Sequence, residues 1–357
     1  IKIEPLEGDH IRTRAPLHEG VSAFFGHLNA GKRSVAMDLK QAEAVALALE
    51  LASDCDVVIE AFRPGVMERF GLGAARLRSL NPRLVYCSIS GFGQNTSASA
   101  WPAYAPVVHA ASGFEMANFD YQDDVERPAN SGIPLADMLT SIFSAFSIQT
   151  ALLERERTGR GQLIDINLMD SMVNVLAFEF QAAQFPLARR RPLYKPMRAR
   201  DGFVVVAPVN EKNFRSLCKA TGHPEWLDDP LLNTDQGRFD NWAEYMRRIE
   251  SWTSERSAEE CEQRLMEAGV PCSRYRRLEE TIQHAQFEER GSFATIFDEA
   301  GIYKTTKLPF AFAGVKPDVG QRVARLGEDT AYVLSSILGK SNDEIRRLGD
   351  SRIVGFA

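Results

Sequence analysis

Apolar and polar positions along this chain follow two rhythms in turn. From Gln41 to Ser53 apolar residues recur at helical spacing, and Asp56-Val57-Val58-Ile59-Glu60 follows as a short apolar run, the pattern of a helix leading into a buried strand. A turn at Arg63-Pro64-Gly65 and a short helix through Arg69 precede a second apolar run, Leu84-Val85-Tyr86-Cys87-Ser88-Ile89. That run ends in a glycine-bearing turn, Ser90-Gly91-Phe92-Gly93-Gln94. Residues 137 to about 157 read as a long apolar helix with a charged end, Glu154-Arg155-Glu156-Arg157. Thr158-Gly159-Arg160-Gly161-Gln162 stops it, as a glycine C-cap does. Leu163 to Leu168 alternates as a strand, and Asp170-Ser171 opens a further apolar helix to about Gln184. Strands and helices in alternation predict βαβ units on a parallel sheet, hence an α/β fold. In such sheets ligands bind beyond the carboxyl ends of the strands, where the turns after Glu60 and Ser90 fall.

After residue 185 the pattern changes. Phe185 to Arg200 holds three prolines and six basic residues, Arg189, Arg190, Arg191, Lys195, Arg198 and Arg200, which reads as a linker. A strand at Phe203 to Ala207 then starts a second unit, with helices near 211–221 and 240–268 and turns at Gly269-Val270-Pro271 and Lys307-Leu308-Pro309. Residues 330–338 and 342–348 are helical again and are expected to pack back on the first unit. Ile1-Lys2-Ile3-Glu4-Pro5 reads as the tail of a strand, so the natural chain is expected to begin earlier.

Composition narrows the function. At 357 residues, 44% hydrophobic and 25% charged, the chain is an ordinary globular one of about two domains. A net charge of −6 carries no nucleic-acid footprint, so an anionic partner must meet a local basic patch. Cys55, Cys87, Cys218, Cys261 and Cys272 are scattered and form no metal-spaced pair, which suggests a reducing, cytoplasmic setting and no metal. The sequence has no run of 18 apolar residues, so no membrane span is expected, and no signal-peptide pattern at its start. GxSxG, HExxH, GxxxxGK[ST] and strand-linked GxGxxG signatures are all missing, which removes most of the weight from hydrolase, metalloprotease and nucleotide-triphosphatase readings.

Asp170 is the most informative acid, because the strand before it delivers it to the sheet's carboxyl edge at the first turn of a helix. An N-cap would occupy the same position, and Asp137, entering the preceding helix, has the same double reading. Lys32, Arg33, Lys40, Arg63 and Arg69 gather around the first loops, as solvated charge or as phosphate contacts.

Glu60-Ala61-Phe62-Arg63-Pro64-Gly65-Val66-Met67-Glu68-Arg69-Phe70-Gly71-Leu72, with Asn81-Pro82-Arg83-Leu84-Val85-Tyr86 and Ser90-Gly91-Phe92-Gly93-Gln94, resembles the family III (CaiB/BaiF-type) CoA transferases. So do Glu154 to Gln162 with the following strand and Asp170, Asn29 with Lys32-Arg33-Ser34, Gly269-Val270-Pro271-Cys272, and Leu326-Gly327-Glu328. The resemblance runs over essentially the whole chain. It implies a Rossmann-like large domain with a parallel sheet, a smaller α+β domain, and an interlocked homodimer. The expected borders are 1–200 for the large domain, 201–319 for the small one, and 320–357 for C-terminal helices returning to the first. A first βα unit of roughly thirty residues is expected ahead of Ile1.

The resemblance also implies chemistry: transfer of coenzyme A from an acyl-CoA donor to a small carboxylic acid, with acyl-CoA as substrate and no tightly bound cofactor. In the family an aspartate, here Asp170, attacks the thioester to give a mixed anhydride and then an aspartyl-CoA thioester. Gly91, Phe92 and Gly93 are the expected oxyanion donors. Met37, Asp38, Leu39 and Lys40 would border the adenine, Ala61, Phe62 and Arg63 the nucleotide and pantetheine, Arg69 the phosphates, and Tyr104 the thioester. The superfamily also holds α-methylacyl-CoA racemases, which use a His and an Asp. Asp137 matches that Asp, but Tyr104 stands at the His position and His109 lies five residues further on. Racemisation is therefore the second reading, and a non-catalytic CoA-binding relative the third. The chain lacks the glycine-rich loop of formyl- and oxalate-specific members and has Arg189 to Arg200 there, a basic stretch suited to a dicarboxylate. Asp329 replaces a His in a Gly-Glu-His-Thr motif.

Overall fold

The computed structural model describes all residues except 123–124, 186, 188–191 and 316–318. Arg189, Arg190 and Arg191, the core of the expected basic linker, lie outside the described residues. The chain forms two compact units, residues 1–185 with 289–357, and residues 186–288.

The first unit opens with β1 (Lys2–Glu4), a small hairpin of β2 (Leu17–His18) and β3 (Val21–Ser22), α1 (Ala23–Asn29) and β4 (Ser34–Met37). Next come α2 (Ala42–Ser53), β5 (Val57–Glu60), α3 (Val66–Arg69), α4 (Ala74–Leu80), β6 (Val85–Ser90), α5 (Ala105–Ala111) and α6 (Phe114–Asp120). α7 (Leu135–Thr158), β7 (Leu163–Asn167), α8 (Leu168–Val175) and α9 (Ala177–Gln184) complete the alternation. β5, β6 and β7 form a parallel sheet with β6 in the middle, and Glu60 aligns with Ser88 and Ser90 with Asn167. β4 is flanked by β1, parallel, and by the C-terminal Val354–Gly355, antiparallel.

β4 is buried at all four residues, and Val85, Tyr86, Cys87 and Ser88 of β6 are buried, as parallel strands covered on both faces must be. α2 serves two clusters. Ala44, Leu47 and Leu51 meet Val35, Met37 and the C-terminal Val333, Leu334 and Leu348, while Ala48 and Ala52 meet Leu84 and Tyr86. The helices of residues 330–348 thus pack on the first unit. On the other face, Ile148 and Ala151 of α7 pack on Val85 and Cys87.

α7 is capped by Gly159 at φ 72°, whose N–H donates to Arg155 O. At 24 residues and a mean hydropathy of 1.2 over 18 of them, α7 is long and apolar enough to cross a membrane, contrary to the sequence expectation. The Thr and Ser residues at 140, 141, 144 and 147 interrupt the apolar run without much lowering its hydropathy. One face of the helix is core; the other exposes Met138, Ile142, Phe146 and Leu153. The single helix expected from Asp170 to Gln184 is two, because Leu176 leaves helical geometry (φ −88°, ψ 39°) and its N–H closes early on Val173 O.

The second unit holds β8 (Met197–Ala199), β9 (Gly202–Val206), α10 (Glu211–Thr221), α11 (Asp235–Asp240), α12 (Trp242–Ser254), α13 (Ala258–Glu267), β10 (Cys272–Arg274) and α14 (Leu278–Thr281), with α15 (Ala285–Arg290) at its border. β9 is central in an antiparallel sheet, and Phe214, Leu217, Tyr245, Ile249, Trp252 and Leu265 bury its face. The helix expected over 240–268 is broken where Ser257 caps α13. Both domain borders lie earlier than the expected 200 and 319. Met197–Ala199 pairs with β9, and the hairpin of Phe293–Asp298 with Gly301–Thr306 places Ile296 against Phe25 and Val323 of the first unit.

A polar lock holds β4. Glu4, only 2% exposed, accepts from Arg12 Nη2 at 2.7 Å, Arg12 Nε at 2.8 Å and Ser34 Oγ at 2.7 Å. Asp329 accepts from Ser34 N at 3.0 Å and from Arg322 Nη2 at 2.7 Å, so this family departure is a structural tie. Burial pushes the Glu4 carboxyl up, but the bonds from Arg12, Ser34 and the Asp9 N–H outweigh it and hold its pKa below the ordinary value. A carboxyl depressed in the fold contributes stability above its unfolded pKa and loses it as pH falls through the folded one. Thermal midpoints should therefore drop on acidification below about pH 4. Glu4→Gln should cost about 1–3 kcal/mol at pH 7 and flatten that acid limb. Leu84→Ala, at a fully buried site, should cost about 2–5 kcal/mol in denaturant unfolding.

Candidate active site

The parallel register brings the carboxyl ends of β5, β6 and β7 to one edge, and a polar chain runs across it. The Glu60 carboxylate accepts from the Phe62 N–H at 2.8 Å and from Ser88 Oγ. Ser88 Oγ accepts from Gln94 Nε2 at 2.7 Å, and the Gln94 N–H donates to Asp165 at 3.1 Å. Burial raises the Glu60 pKa, against the lowering effect of Ser88 and the Phe62 N–H. The turn after β6 is equally fixed. Gly93, at φ 89°, donates its N–H to Ser90 Oγ at 2.9 Å, so it is not a spare oxyanion donor. Gly91 O accepts from the Met169 N–H at 3.1 Å, and a Cβ at Gly91 would run into Ala103.

Asp170 sits in the first turn of α8, but the N-cap is Asn167. The Asn167 side chain accepts from the Asp170 N–H at 2.8 Å and donates through Nδ2 to Asp170 Oδ2 at 2.7 Å. Asn167 is buried and Asp170 exposed. Asp170 Oδ1 has no hydrogen-bond partner among the described residues. A carboxylate oriented through one oxygen, with the other open at the sheet edge, is placed to act as a nucleophile.

α5 and α7 pack against α8 through Ala105, Val108, Ala136, Leu168 and Met172, with Phe92 beside them. Phe92 also meets Trp101 edge to face. Tyr104, 74% exposed, caps α5. Asp137 lies in the first turn of α7; packing around its carboxyl raises its pKa, against its own backbone N–H and His109. His109 is buried, and its Nε2 accepts from the Ala136 N–H at 3.1 Å. That bond places the ring proton on Nδ1, 3.8 Å from Glu115 Oε1. His109 is therefore committed to holding the start of α7.

The residues assigned to coenzyme A divide. Ala61, Phe62 and Arg63 are exposed directly after β5, and exposed Arg69 ends α3 close by. Gly91 and Phe92 join the same edge. Met37 and Leu39 lie in or against the core, Met37 at 1% exposure, so Met37 could meet a ligand only through its backbone. Asp38 is a turn residue, accepting from Lys40 N at 3.1 Å and Gln41 Nε2 at 3.0 Å, and these bonds, Gln41 first, lower its pKa. Lys40 is exposed. Met37 ends β4, in the other sheet, and Asp38, Leu39 and Lys40 follow it. No metal-ligand cluster occurs among the described residues. Sequence reasoning missed the roles of Asn167, Glu60 and the His109–Glu115 pair. The Asn-x-x-Asp spacing was the one signal available for Asn167.

Comparison with known proteins places the chain in a family. The family model for CoA-transferase family III matches residues 1–330. The chain is 32% identical over 361 residues to the succinate–glutarate CoA-transferase of Agrobacterium fabrum, covering 94% of this chain and 88% of that one. It is 34% identical over 281 residues to the acetyl-CoA:oxalate CoA-transferase of Acetobacter aceti, covering 76% and 72%. A crystal structure of a CaiB/BaiF family protein from Brucella suis superposes with a TM-score of 0.81 at 28% identity, over 94% of this chain and 90% of that one. The chain belongs to CoA-transferase family III, enzymes that move coenzyme A between acyl-CoA thioesters and carboxylic acids.

Proposed function

We propose that the protein transfers coenzyme A from a small acyl-CoA, such as succinyl-CoA, to a small dicarboxylic acid, with Asp170 as covalent carrier. Asp170 attacks the thioester carbonyl carbon, the C–S bond breaks, and coenzyme A leaves as thiolate beside an acyl-aspartyl anhydride. The thiolate attacks the aspartyl carbonyl, releasing the donor acid and leaving an aspartyl-CoA thioester. The acceptor carboxylate attacks that carbonyl in turn and expels the thiolate, which takes the new acyl group and returns Asp170 as carboxylate. No net proton or electron is consumed. The observation that carries the reading is Asp170 itself, held by Asn167 through one oxygen and open at the other.

The relatives named for succinate, glutarate and L-malate support a dicarboxylate acceptor. Oxyanion stabilisation falls to the Gly91–Phe92 segment, since Gly93 N–H is taken. Racemase chemistry is disfavoured because Tyr104 holds the His position and His109 Nε2 is occupied. The reading includes a reducing cytoplasmic setting, supported by five unpaired cysteines. It also includes an interlocked homodimer, supported by the exposed Met138, Ile142, Phe146 and Leu153 of α7, a stripe at helical spacing that water does not favour.

Asp170→Ala should lower transfer by about a thousandfold or more while acyl-CoA still binds. Hydroxylamine trapping after incubation with acyl-CoA should label the peptide containing Asp170, and label on another acid would refute the assignment. Paired Ile142→Asp and Phe146→Asp substitutions should convert the dimer to monomer in light scattering; an unchanged mass would remove α7 from the interface.

A further inference from the structure

The second unit carries a cavity of about 480 Å³ that none of the residues assigned above touches. β9, β10, the turn after β10, α14 and α15 line this open hollow, with Val205, Arg274, Tyr275, Arg276, His284 and Phe287 among its lining. The two arginines are not equivalent. Glu262 takes Arg276 Nη2 at 2.5 Å through one oxygen, and through the other accepts from Ser273 Oγ at 3.0 Å and the Arg274 N–H at 3.2 Å. Arg276 Nη1 also donates to Ser273 Oγ at 3.1 Å.

The Arg274 guanidinium, by contrast, is scarcely engaged. Its Nη1 reaches Glu280 Oε1 only at 3.5 Å, its Nε lies 3.7 Å from Glu262 Oε2, and that Nε is buried without a hydrogen-bond partner. Glu262 thus neutralises one cation at short range and leaves the other's planar fork available, the geometry that suits a carboxylate. His284 Nδ1 accepts from the Gln286 N–H at 3.3 Å, so its Nε2 carries the ring proton and is a second donor. Val205, Tyr275 and Phe287 supply apolar wall. An apolar cavity of this size with a few convergent polar groups has the character of a small-molecule site.

We propose that this cavity binds a small organic acid, its carboxylate taken by Arg274 and its carbon body by Val205, Tyr275 and Phe287. The proposal stands independently of the role of Asp170. Carboxylate and inorganic phosphate share the oxyanion chemistry, and the apolar wall favours the acid. Titration calorimetry of the whole chain with succinate, and separately with inorganic phosphate, in the absence of acyl-CoA, tests it. Succinate should bind wild type and Asp170→Ala alike, and Arg274→Ala should weaken that binding about tenfold or more. Arg274→Lys, which keeps the charge but loses the fork, should fall between them, and it carries the comparison if the alanine variant melts early. The proposal is overturned by absence of succinate binding, by equal affinity in the Arg274 variants, or by binding lost with Asp170→Ala and kept with Arg274→Ala. Phosphate binding as tight as that of succinate overturns it too.

Discussion

The register of three parallel strands is the constraint on which the site depends. β6 is covered on both faces, by α2 and α4 on one and α7 on the other, and the helices between the strands carry the chain back across the sheet, so its neighbours pair in the same direction. Parallel pairing sends every strand's carboxyl end to the same side, and Glu60, Ser90 and Asn167 arrive there from distant parts of the sequence. A slip of one residue in β7 would turn its inward residues outward and carry Asn167, and with it Asp170, off the edge. The close approach of Gly91 to Ala103 and the bond from Met169 to Gly91 reinforce that alignment from the loop side.

What the sequence made legible follows from how local each signal is. α2, α7 and the three strands are periodic over enough residues to be read directly, and Asp170 stood out through the order strand, acid, helix. Asn167 was harder, because the last residue of an alternating strand looks like strand until its side chain turns to the helix. The packing of residues 293–306 on the first unit depends on contacts far along the chain, such as Ile296 with Phe25. His109 and Glu115 sit six positions apart but meet Ala136 and Ser131, partners that no periodicity points to. The residues assigned to coenzyme A rest on family resemblance alone, and the fold gives that set two locations.

Carboxylates in this molecule separate into two kinds by how their oxygens are used. Glu4 and Asp329 have both oxygens taken by Arg12, Ser34 and Arg322, as buried charge requires. Asp170 has a single partner on one oxygen and sits exposed. The first kind spends its bonding capacity inside the fold. The second leaves half of it unused within the fold, and the neighbouring Asn fixes which half.

The polar lock and the pairing of β4 with residues 354–355 also bear on the order in which the protein can be finished. Met37 and its partner Val354 are separated by 317 positions, so one edge of β4 has no strand beside it until those residues have been made. At about 5–20 residues per second, that interval is roughly a quarter of a minute to a minute. Ser34 likewise waits for Asp329. The nascent first unit thus carries an open sheet edge, the kind of surface that pairs with other chains, throughout that interval.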